Sequence, residues 1–255
     1  MYFDSHAHFD DRQFDADREA LLSSMAANGI SNIVDIGADL PSSRRAVKLA
    51  ETYPFLYAAV GVHPSEVGRM DEGTLTAIAE LCQQHKKVVA IGEIGLDYHY
   101  DDGPARSTQV FWFKQQMKLA WHLKKPVVIH SRDATEDTIK VLKQEKAHGG
   151  ILHCFSGSWE SAKIFLDLGY HISFAGPVTF KNARSLPDVA ARVPDGRLLI
   201  ETDCPYLAPE PHRGTRNNSI YVKEVAKKLA EIRGTTPEAI ARLTSDNAKR
   251  LFHIQ

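Results

Sequence analysis

The sequence predicts a single α/β domain, residues 1–255, folded as a (β/α)8 TIM barrel. Two observations indicate this fold. Eight short apolar runs alternate with stretches of helical length, and no long linker or low-complexity segment interrupts them. Strands that alternate with helices form a parallel sheet, and eight such units close into a barrel of about 250 residues. A doubly wound open sheet is the alternative, but no glycine-rich phosphate-binding motif follows the first run.

The predicted strands are the apolar runs, which are bounded by glycine, proline and polar residues. In chain order they are Tyr2–Asp4, Asn32–Ile36, Leu56–Val62, Val88–Glu93, Pro126–His130, Gly150–Cys154, Tyr170–Ser173 and Leu198–Asp203. The predicted helices are Asp17–Asn28, Pro41–Tyr53, Asp71–Gln84, Pro104–His122, Ala134–Lys146, Ser158–Leu168, Ala183–Arg192, Tyr221–Arg233 and Pro237–Phe252.

Glycine and proline residues support several of these boundaries. Pro41 suits the first turn of a helix, where the missing N–H needs no partner. Gly29 and Gly169 follow predicted helix ends, where glycine readily adopts the left-handed conformation that ends a helix. Pro126 begins a strand, which is a tolerated position for proline.

Composition narrows the function classes. The net charge is -1 and the isoelectric point about 6.9, so the chain has no global basic field for tracking long duplex DNA. No segment approaches the ~20 apolar residues of a membrane span, and no basic, apolar leader begins the chain. Cys82, Cys154 and Cys204 lack metal-binding spacing and fit a reduced protein. We therefore expect a cytoplasmic protein with no membrane association and no obligate protein partner.

The first predicted strand runs into a histidine pair. Residues two apart on a strand point to the same face, so Asp4, His6 and His8 share one direction. Two imidazoles that converge from one strand end resemble half of a metal site. A solvated pair of histidines is the alternative reading, and only further ligands elsewhere in the chain decide between the two.

Further ligands follow other predicted strands. Because the carboxyl ends of all strands in a barrel meet at one rim, these side chains are expected to gather there. Imidazole and carboxylate suit two divalent cations, Mg²⁺, Mn²⁺ or Zn²⁺, which a shared carboxylate commonly bridges. We expect Glu93 to be the bridge, His6, His8 and Asp203 to serve one cation, and His130 and His153 the other. The candidate metal ligands are His6, His8, Glu93, His130, His153 and Asp203.

The strand ends resemble the signatures of the TatD-type metal-dependent deoxyribonucleases, in order and over essentially the whole chain. The resemblance implies a TIM barrel of the amidohydrolase superfamily, a two-metal centre and hydrolysis of DNA phosphodiesters, usually from the 3′ end. All six candidate ligands match the metal positions of the family, and His63 matches an active-site histidine. The matching segments are Asp4–His8, Gly61–Pro64, Gly92–Tyr98, His130–Ala134, His153–Gly157 and Glu201–Tyr206.

One segment departs from the family pattern. After Arg213 and Gly214, members usually read Lys-Arg-Asn-Glu-Pro, whereas this chain reads Thr-Arg-Asn-Asn-Ser at 215–219. The change removes one cation and one carboxylate from the predicted rim. Substrate contacts there are therefore expected to differ from those of other members.

The hypothesis for catalysis is a hydroxide, activated by two metals, that attacks phosphorus. In it, Asp203 accepts the proton of the attacking water, and His63 binds phosphate or protonates the leaving oxygen. Glu201 lies one layer deeper and orients a ligand. Arg132, Arg213 and Arg216 are the candidate substrate-binding residues, because a guanidinium grips phosphate with two hydrogen bonds.

Aromatic residues near the rim are candidates for stacking on unpaired bases. These are Tyr98, Tyr100, Phe155, Trp159 and Tyr206.

Two other functions remain open at this point. The first is hydrolysis of another ester or amide bond on the same centre, as in a deacylase, lactonase or amidase, since a fold does not determine a substrate. The second is a binding or scaffold protein without catalysis. A complete set of ligands argues against the second, because unused buried histidine and aspartate would only destabilise the fold.

Overall fold

The computed structural model describes residues 1–255 and confirms the barrel. Eight parallel strands pair in chain order from β1 to β8, so each strand neighbours the next one in the sequence. The strands are β1 Tyr2–Ala7, β2 Ile30–Ile36, β3 Leu56–Val60, β4 Val88–Asp97, β5 Val127–Arg132, β6 Gly150–Leu152, β7 His171–Phe174 and β8 Leu198–Ile200.

Helices surround the barrel at the predicted places, and most differ from prediction only at their ends. The first is shorter than predicted: it stops at Ser23, and turns follow as far as Gly29. There the backbone N–H groups of Ser24 and Met25 donate three residues back, to the Leu21 and Leu22 carbonyls, which is the bonding of a turn and not of an α-helix. The helices are α1 Arg18–Ser23, α2 Leu40–Thr52, α3 Glu72–Gln84, α4 Arg106–His122, α5 Thr135–Gln144, α6 Trp159–Asp167, α7 Leu186–Arg192, α8 Val222–Arg233 and α9 Pro237–Phe252.

The barrel closes at a short seam between β1 and β8. Strand β8 ends at Ile200, and the prediction that it continues to Asp203 was wrong. Asp203 has a φ of 57°, which takes the chain out of the extended conformation. The seam instead uses a parallel bridge between Ala7 and Cys204, with backbone bonds of 2.9 Å from Asp203 to His6 and 2.8 Å from His8 to Cys204.

A buried carboxylate reinforces this seam. One oxygen of Asp4 accepts from the Thr202 backbone N–H at 2.9 Å, and the other accepts from the Thr202 hydroxyl at 2.6 Å. The Ser219 hydroxyl also donates to Asp4, at 2.5 Å. Ser219 stands at the end of the segment that departs from the family pattern, where a proline would offer no donor. The departure therefore contributes to barrel closure.

The interior of the barrel is apolar at its amino-terminal end. Phe3, Val89 and Val128 belong to a small core cluster that also contains the end of α9, and Phe3 stacks on Phe252 with ring centroids 6.2 Å apart. A larger cluster fills the layer between the barrel and its helices. Helix α9 thus closes the amino-terminal end of the barrel, and the polar side chains lie at the carboxyl-terminal end. No helix of the chain is both long enough and apolar enough to cross a membrane.

Strand β4 depends on one glycine. Gly95 has a φ of 143°, and a Cβ there would lie 2.0 Å from the His130 carbonyl oxygen on β5. We expect Gly95→Ala to lower the free energy of unfolding by roughly 3 kcal/mol or more, because strain and overpacking add. Urea unfolding followed by circular dichroism measures the change.

Gly196 provides the matched control. A Cβ at Gly196 would meet no atom within 4 Å, so Gly196→Ala should change the free energy of unfolding by no more than about 0.5 kcal/mol. Equal stability of the two variants would contradict the close packing of β4 on β5.

Candidate metal centre

The predicted ligands gather at the carboxyl-terminal end of the barrel. Three groups of side chains there have nitrogen and oxygen atoms within 4.8 Å of one another, close enough to hold a cation. The first group is His6, His8 and Asp203, the second is His6, Glu93 and His153, and the third is His63, Asp97 and His130.

The first group combines β1 with the segment after β8. The Nε2 atoms of His6 and His8 lie 3.1 Å apart, and Asp203 Oδ1 lies 3.6 Å and 3.5 Å from them. The barrel seam brings these residues together, because the seam bonds involve His6, His8 and Asp203 themselves. The backbone bonds that close the barrel therefore also hold the residues of this group next to one another.

Glu93 lies in the middle of the cluster that these side chains form, between the His6 and His8 pair and the His130 and His153 pair. Its Oε2 lies 3.5 Å from His6 Nε2 and 3.8 Å from His8 Nε2. Its Oε1 lies 2.9 Å from His130 Nδ1 and 2.7 Å from His153 Nε2. The two oxygens of one carboxylate thus address two different pairs of imidazoles, which is the arrangement of a bridging ligand.

Neighbouring groups orient three of the imidazoles. His8 Nδ1 donates to the Ile36 carbonyl at 2.8 Å, so its Nε2 faces the cluster. Glu201 Oε1 lies 3.2 Å from His153 Nδ1, and Asp97 Oδ2 lies 3.0 Å from His130 Nε2. Such partners set the tautomer of a ligand histidine and its ring orientation.

The donor set fits divalent cations. Bonds of about 2.1 Å place the ligand atoms of a tetrahedral or octahedral site about 3.0–3.4 Å apart. The separations around His6, His8, Glu93 and Asp203 run from 3.1 to 3.8 Å, close to that range. Lone pairs of two imidazoles at 3.1 Å repel each other unless positive charge lies between them.

The electrostatics of the cluster favour positive charge. Burial alone would raise the pKa of Glu93, but its contacts with His153 and His130 outweigh burial and hold that pKa well below its ordinary value. Burial would likewise lower the pKa of His8, yet Asp203 and Glu93 raise it to about 10. The buried carboxylates therefore attract cations, whether protons or metal ions.

Known proteins match this chain over its whole length. The model of a family described as TatD related DNase matches residues 3–253. The chain belongs to the TatD family. YabD of Bacillus subtilis, described as an uncharacterized metal-dependent hydrolase, is 48% identical over 100% of both chains. YcfH of Escherichia coli K12, described in the same words, is 39% identical over 98% of this chain and 95% of its own length.

A solved TatD structure has the same architecture. The crystal structure of YjjV, a TatD homolog from Escherichia coli K12, superposes with a TM-score of 0.92 at 34% identity. The match covers 100% of this chain and 98% of that one. A TatD family hydrolase from Entamoeba histolytica, at 23% identity and a TM-score of 0.89, shares the fold.

His63 lies at the edge of the TatD cluster. Its Nε2 is 3.7 Å from Glu93 Oε1, and its side chain is 17% exposed. The Ser65 backbone N–H donates to His63 Nδ1 at 3.2 Å, so the proton of the neutral ring is on Nε2. Burial and the nearby His130 lower the pKa of His63 to about 3, which keeps the ring neutral.

Glu201 lies behind the cluster and is fully buried. Its Oε1 accepts from the Cys154 backbone N–H at 2.6 Å in addition to its contact with His153. The structure therefore places Glu201 as a support for His153. Asp97 supports His130 in the same way, a role that the sequence did not reveal. Asp97 lies four residues after Glu93 on β4, and residues an even number apart on a strand share a face, so the sequence did indicate that both point the same way.

The three candidate arginines differ in their partners. The guanidinium of Arg132 lies 5.3 Å above the Tyr100 ring, and that of Arg213 lies 3.7 Å above the Phe180 ring. Both are exposed, and neither forms an ion pair. Arg216 instead donates to both Asp17 oxygens, at 2.8 Å and 2.6 Å, and packs on Phe14.

Proposed function

We propose that this TatD protein is a divalent-metal-dependent hydrolase that cleaves DNA phosphodiester bonds from chain ends, as a 3′–5′ exonuclease. The observation that supports metal-dependent hydrolysis is Glu93, whose two oxygens each face a separate pair of imidazoles. The name of the matching family, TatD related DNase, and the names of the relatives, metal-dependent hydrolases, agree with it.

The cluster would hold two cations. His6, His8 and Asp203 would bind one of them, His130 and His153 the other, and Glu93 both. Such a pair, when bound, lowers the pKa of a water molecule and offsets the charge that builds on the phosphate. The supporting contacts of Asp97 and Glu201 keep the lone pairs of the imidazoles directed at the cations.

Asp203 would accept the proton of the attacking water. Its side chain, at 13% exposure, is the more accessible carboxylate of the cluster, since Glu93 is 5% exposed. Burial would raise the pKa of Asp203, but the contact with His8 outweighs it and keeps the side chain ionised. A carboxylate at the mouth of the cluster can therefore take a proton from water.

His63 would act on the substrate. Its ring is neutral and carries its proton on Nε2, the atom that faces the cluster. That N–H can donate to a phosphate oxygen or to the leaving oxygen. Arg132 and Arg213 would bind neighbouring phosphates, because neither forms an ion pair with a carboxylate.

A metal-removal experiment tests the function. With a 5′-labelled single-stranded oligonucleotide, we expect a chelator to abolish hydrolysis, and added Mg²⁺ or Mn²⁺ to restore it with products that shorten from the 3′ end. The same assay is run on acyl esters, lactones and amides. Unchanged cleavage in chelator, or much faster turnover of one of those substrates, would contradict a metal-dependent DNase.

The arginines provide a second prediction. Each phosphate contact to single-stranded DNA contributes about 0.7 to the slope of log affinity against log salt. We expect Arg132→Ala and Arg213→Ala each to reduce that slope by about this amount. Arg216→Ala should instead leave the slope unchanged and lower the melting temperature, because it breaks the ion pair with Asp17.

Fluorescence anisotropy of a labelled oligonucleotide between 50 and 200 mM salt (~2-fold steps) measures these slopes. A smaller slope in Arg216→Ala would show that Arg216 leaves Asp17 to bind phosphate. Unchanged slopes in both other variants would remove Arg132 and Arg213 from the substrate site.

A further inference from the structure

The five aromatic residues near the rim are not equally free to bind a ligand. The Tyr98 ring is covered by the Arg106 guanidinium at 4.4 Å, and the Trp159 ring by that of Arg192 at 5.6 Å. Phe155 is 7% exposed. Tyr100 is exposed but already carries Arg132. Among the five, Tyr206 alone combines exposure with a ring that no lysine or arginine covers.

Tyr206 lies beside the metal centre. Its ring centroid is 6.2 Å from that of His8, and the residue is 48% exposed. The phenol donates to Asp11 Oδ2 at 3.0 Å, which fixes the direction of the ring. The next residue, Leu207, is 39% exposed, so a second large apolar side chain next to Tyr206 in the chain also faces solvent.

The backbone holds this pair rigidly. The buried Asn217 side chain donates to the Thr202 and Tyr206 carbonyls at 2.8 Å and 2.7 Å. Leu207 has a φ of 53°, a left-handed conformation that strains a leucine. Gly176 allows the loop after β7 to approach closely, since a Cβ there would lie 1.9 Å from the Leu207 carbonyl oxygen. Strain of this kind persists where surrounding contacts impose it, most often at functional sites.

We propose that Tyr206 and Leu207 form a stacking platform that binds one unpaired nucleobase of the substrate, next to the phosphodiester that is cleaved. The proposal rests on the proposed DNase function and specifies its substrate as a single-stranded end. An aromatic face stacks on any base, whereas a base inside a duplex already has both faces covered. The near-neutral net charge agrees with a substrate held by local contacts rather than by a long electrostatic track.

Binding assays test the platform separately from hydrolysis. Affinity is measured in chelator by fluorescence anisotropy, with single-stranded oligonucleotides that carry either a normal 3′-terminal base or an abasic 3′-terminal nucleotide. We expect Tyr206→Ala to weaken binding of the normal oligonucleotide by about 5- to 150-fold. The abasic oligonucleotide should bind the parent protein weakly, and Tyr206→Ala should weaken it no further.

Two matched variants complete the experiment. Tyr206→Phe keeps the ring and loses only the bond to Asp11, so it should retain most of the affinity for the normal oligonucleotide. Leu207→Ala should cause a smaller, base-dependent loss. Thermal unfolding confirms that all three variants are folded.

Other outcomes would overturn the platform. Equal losses on normal and abasic oligonucleotides would show that Tyr206 acts without contacting a base. If Tyr206→Phe weakened binding of the normal oligonucleotide as much as Tyr206→Ala, the effect would come from the hydrogen bond to Asp11 and not from the ring. A protein that binds a normal end in preference to an abasic one but hydrolyses neither would retain the platform and refute the proposed DNase function. Absence of any preference for a normal end would refute the platform even if DNA is cleaved.

Discussion

Glu93→Ala is expected to abolish binding of both cations together and to lower the rate of DNA hydrolysis by at least about 10³-fold. The two oxygens of Glu93 face two different pairs of imidazoles, so one substitution removes a ligand from each proposed cation. Loss of several kcal/mol of charge stabilisation in the transition state corresponds to a rate loss of this size. Among the single substitutions considered, this one should have the largest effect on activity.

Two quantities are measured for each protein: the number of cations bound and the rate of DNA hydrolysis. Isothermal titration with Mn²⁺ gives the number of cations bound and their affinities for the parent and variant proteins. His130→Ala is the matched control, because it removes a ligand from one side only and should weaken mainly one cation. Glu93→Gln keeps the volume of the side chain and separates the loss of charge from the loss of packing.

The bridging role can fail in a specific way. Glu93→Ala and His130→Ala would then show the same stoichiometry, with one cation retained in both. Circular dichroism is needed for each variant, because Glu93 is buried and its replacement alters the packing of the barrel interior. A folded Glu93→Ala protein that still binds two cations would refute the bridge outright.

Asp203→Asn is expected to reduce kcat by about 10²- to 10⁴-fold, the range of general acid–base catalysis. An amide has the shape of the carboxylate but cannot accept a proton at neutral pH. Asparagine also adopts the left-handed backbone conformation easily, so the φ of 57° at this position should survive. The seam of the barrel should therefore remain closed in the variant.

Asp133→Asn is a close control for this substitution. Asp133 also has a positive φ, 53°, and lies near the same rim, but its side chain is 64% exposed and pairs with His99. We expect Asp133→Asn to hydrolyse DNA at nearly the parent rate. Single-turnover rates at saturating Mn²⁺ compare the two variants. A kcat of Asp203→Asn within about threefold of the parent would remove Asp203 as proton acceptor.

Much of the site was predictable because strand geometry is regular. Side chains alternate along a strand, and parallel strands in a barrel present their carboxyl ends at one rim. His6, His8, Glu93, His130 and His153 are near each other for that reason. Asp203 reached the same cluster although β8 ends at Ile200, since the seam bonds carry the segment beyond the strand to His6 and His8.

Contacts between side chains on different loops were not predictable in this way. Arg213 and Arg216 have the same charge and lie three residues apart, yet only Arg216 meets a carboxylate, Asp17, from the far end of the sequence. Likewise, nothing in the sequence favoured one of the five aromatic residues for stacking. In the structure, arginines cover the rings of three of them and Phe155 is buried, so only the Tyr206 ring is exposed and free of arginine.

The fold, the order of the strands and most of the residues that meet at the rim were predictable from the amino-acid sequence. These follow from local hydrophobic patterns and from periodic backbone geometry, which each segment carries independently of the others. Three features are visible only in the folded chain: which oxygen of Glu93 faces which imidazole, the contact of Asp97 with His130, and which arginines have no carboxylate partner. Those outcomes depend on distances of a few ångströms between residues far apart in the chain, and no local pattern encodes such distances.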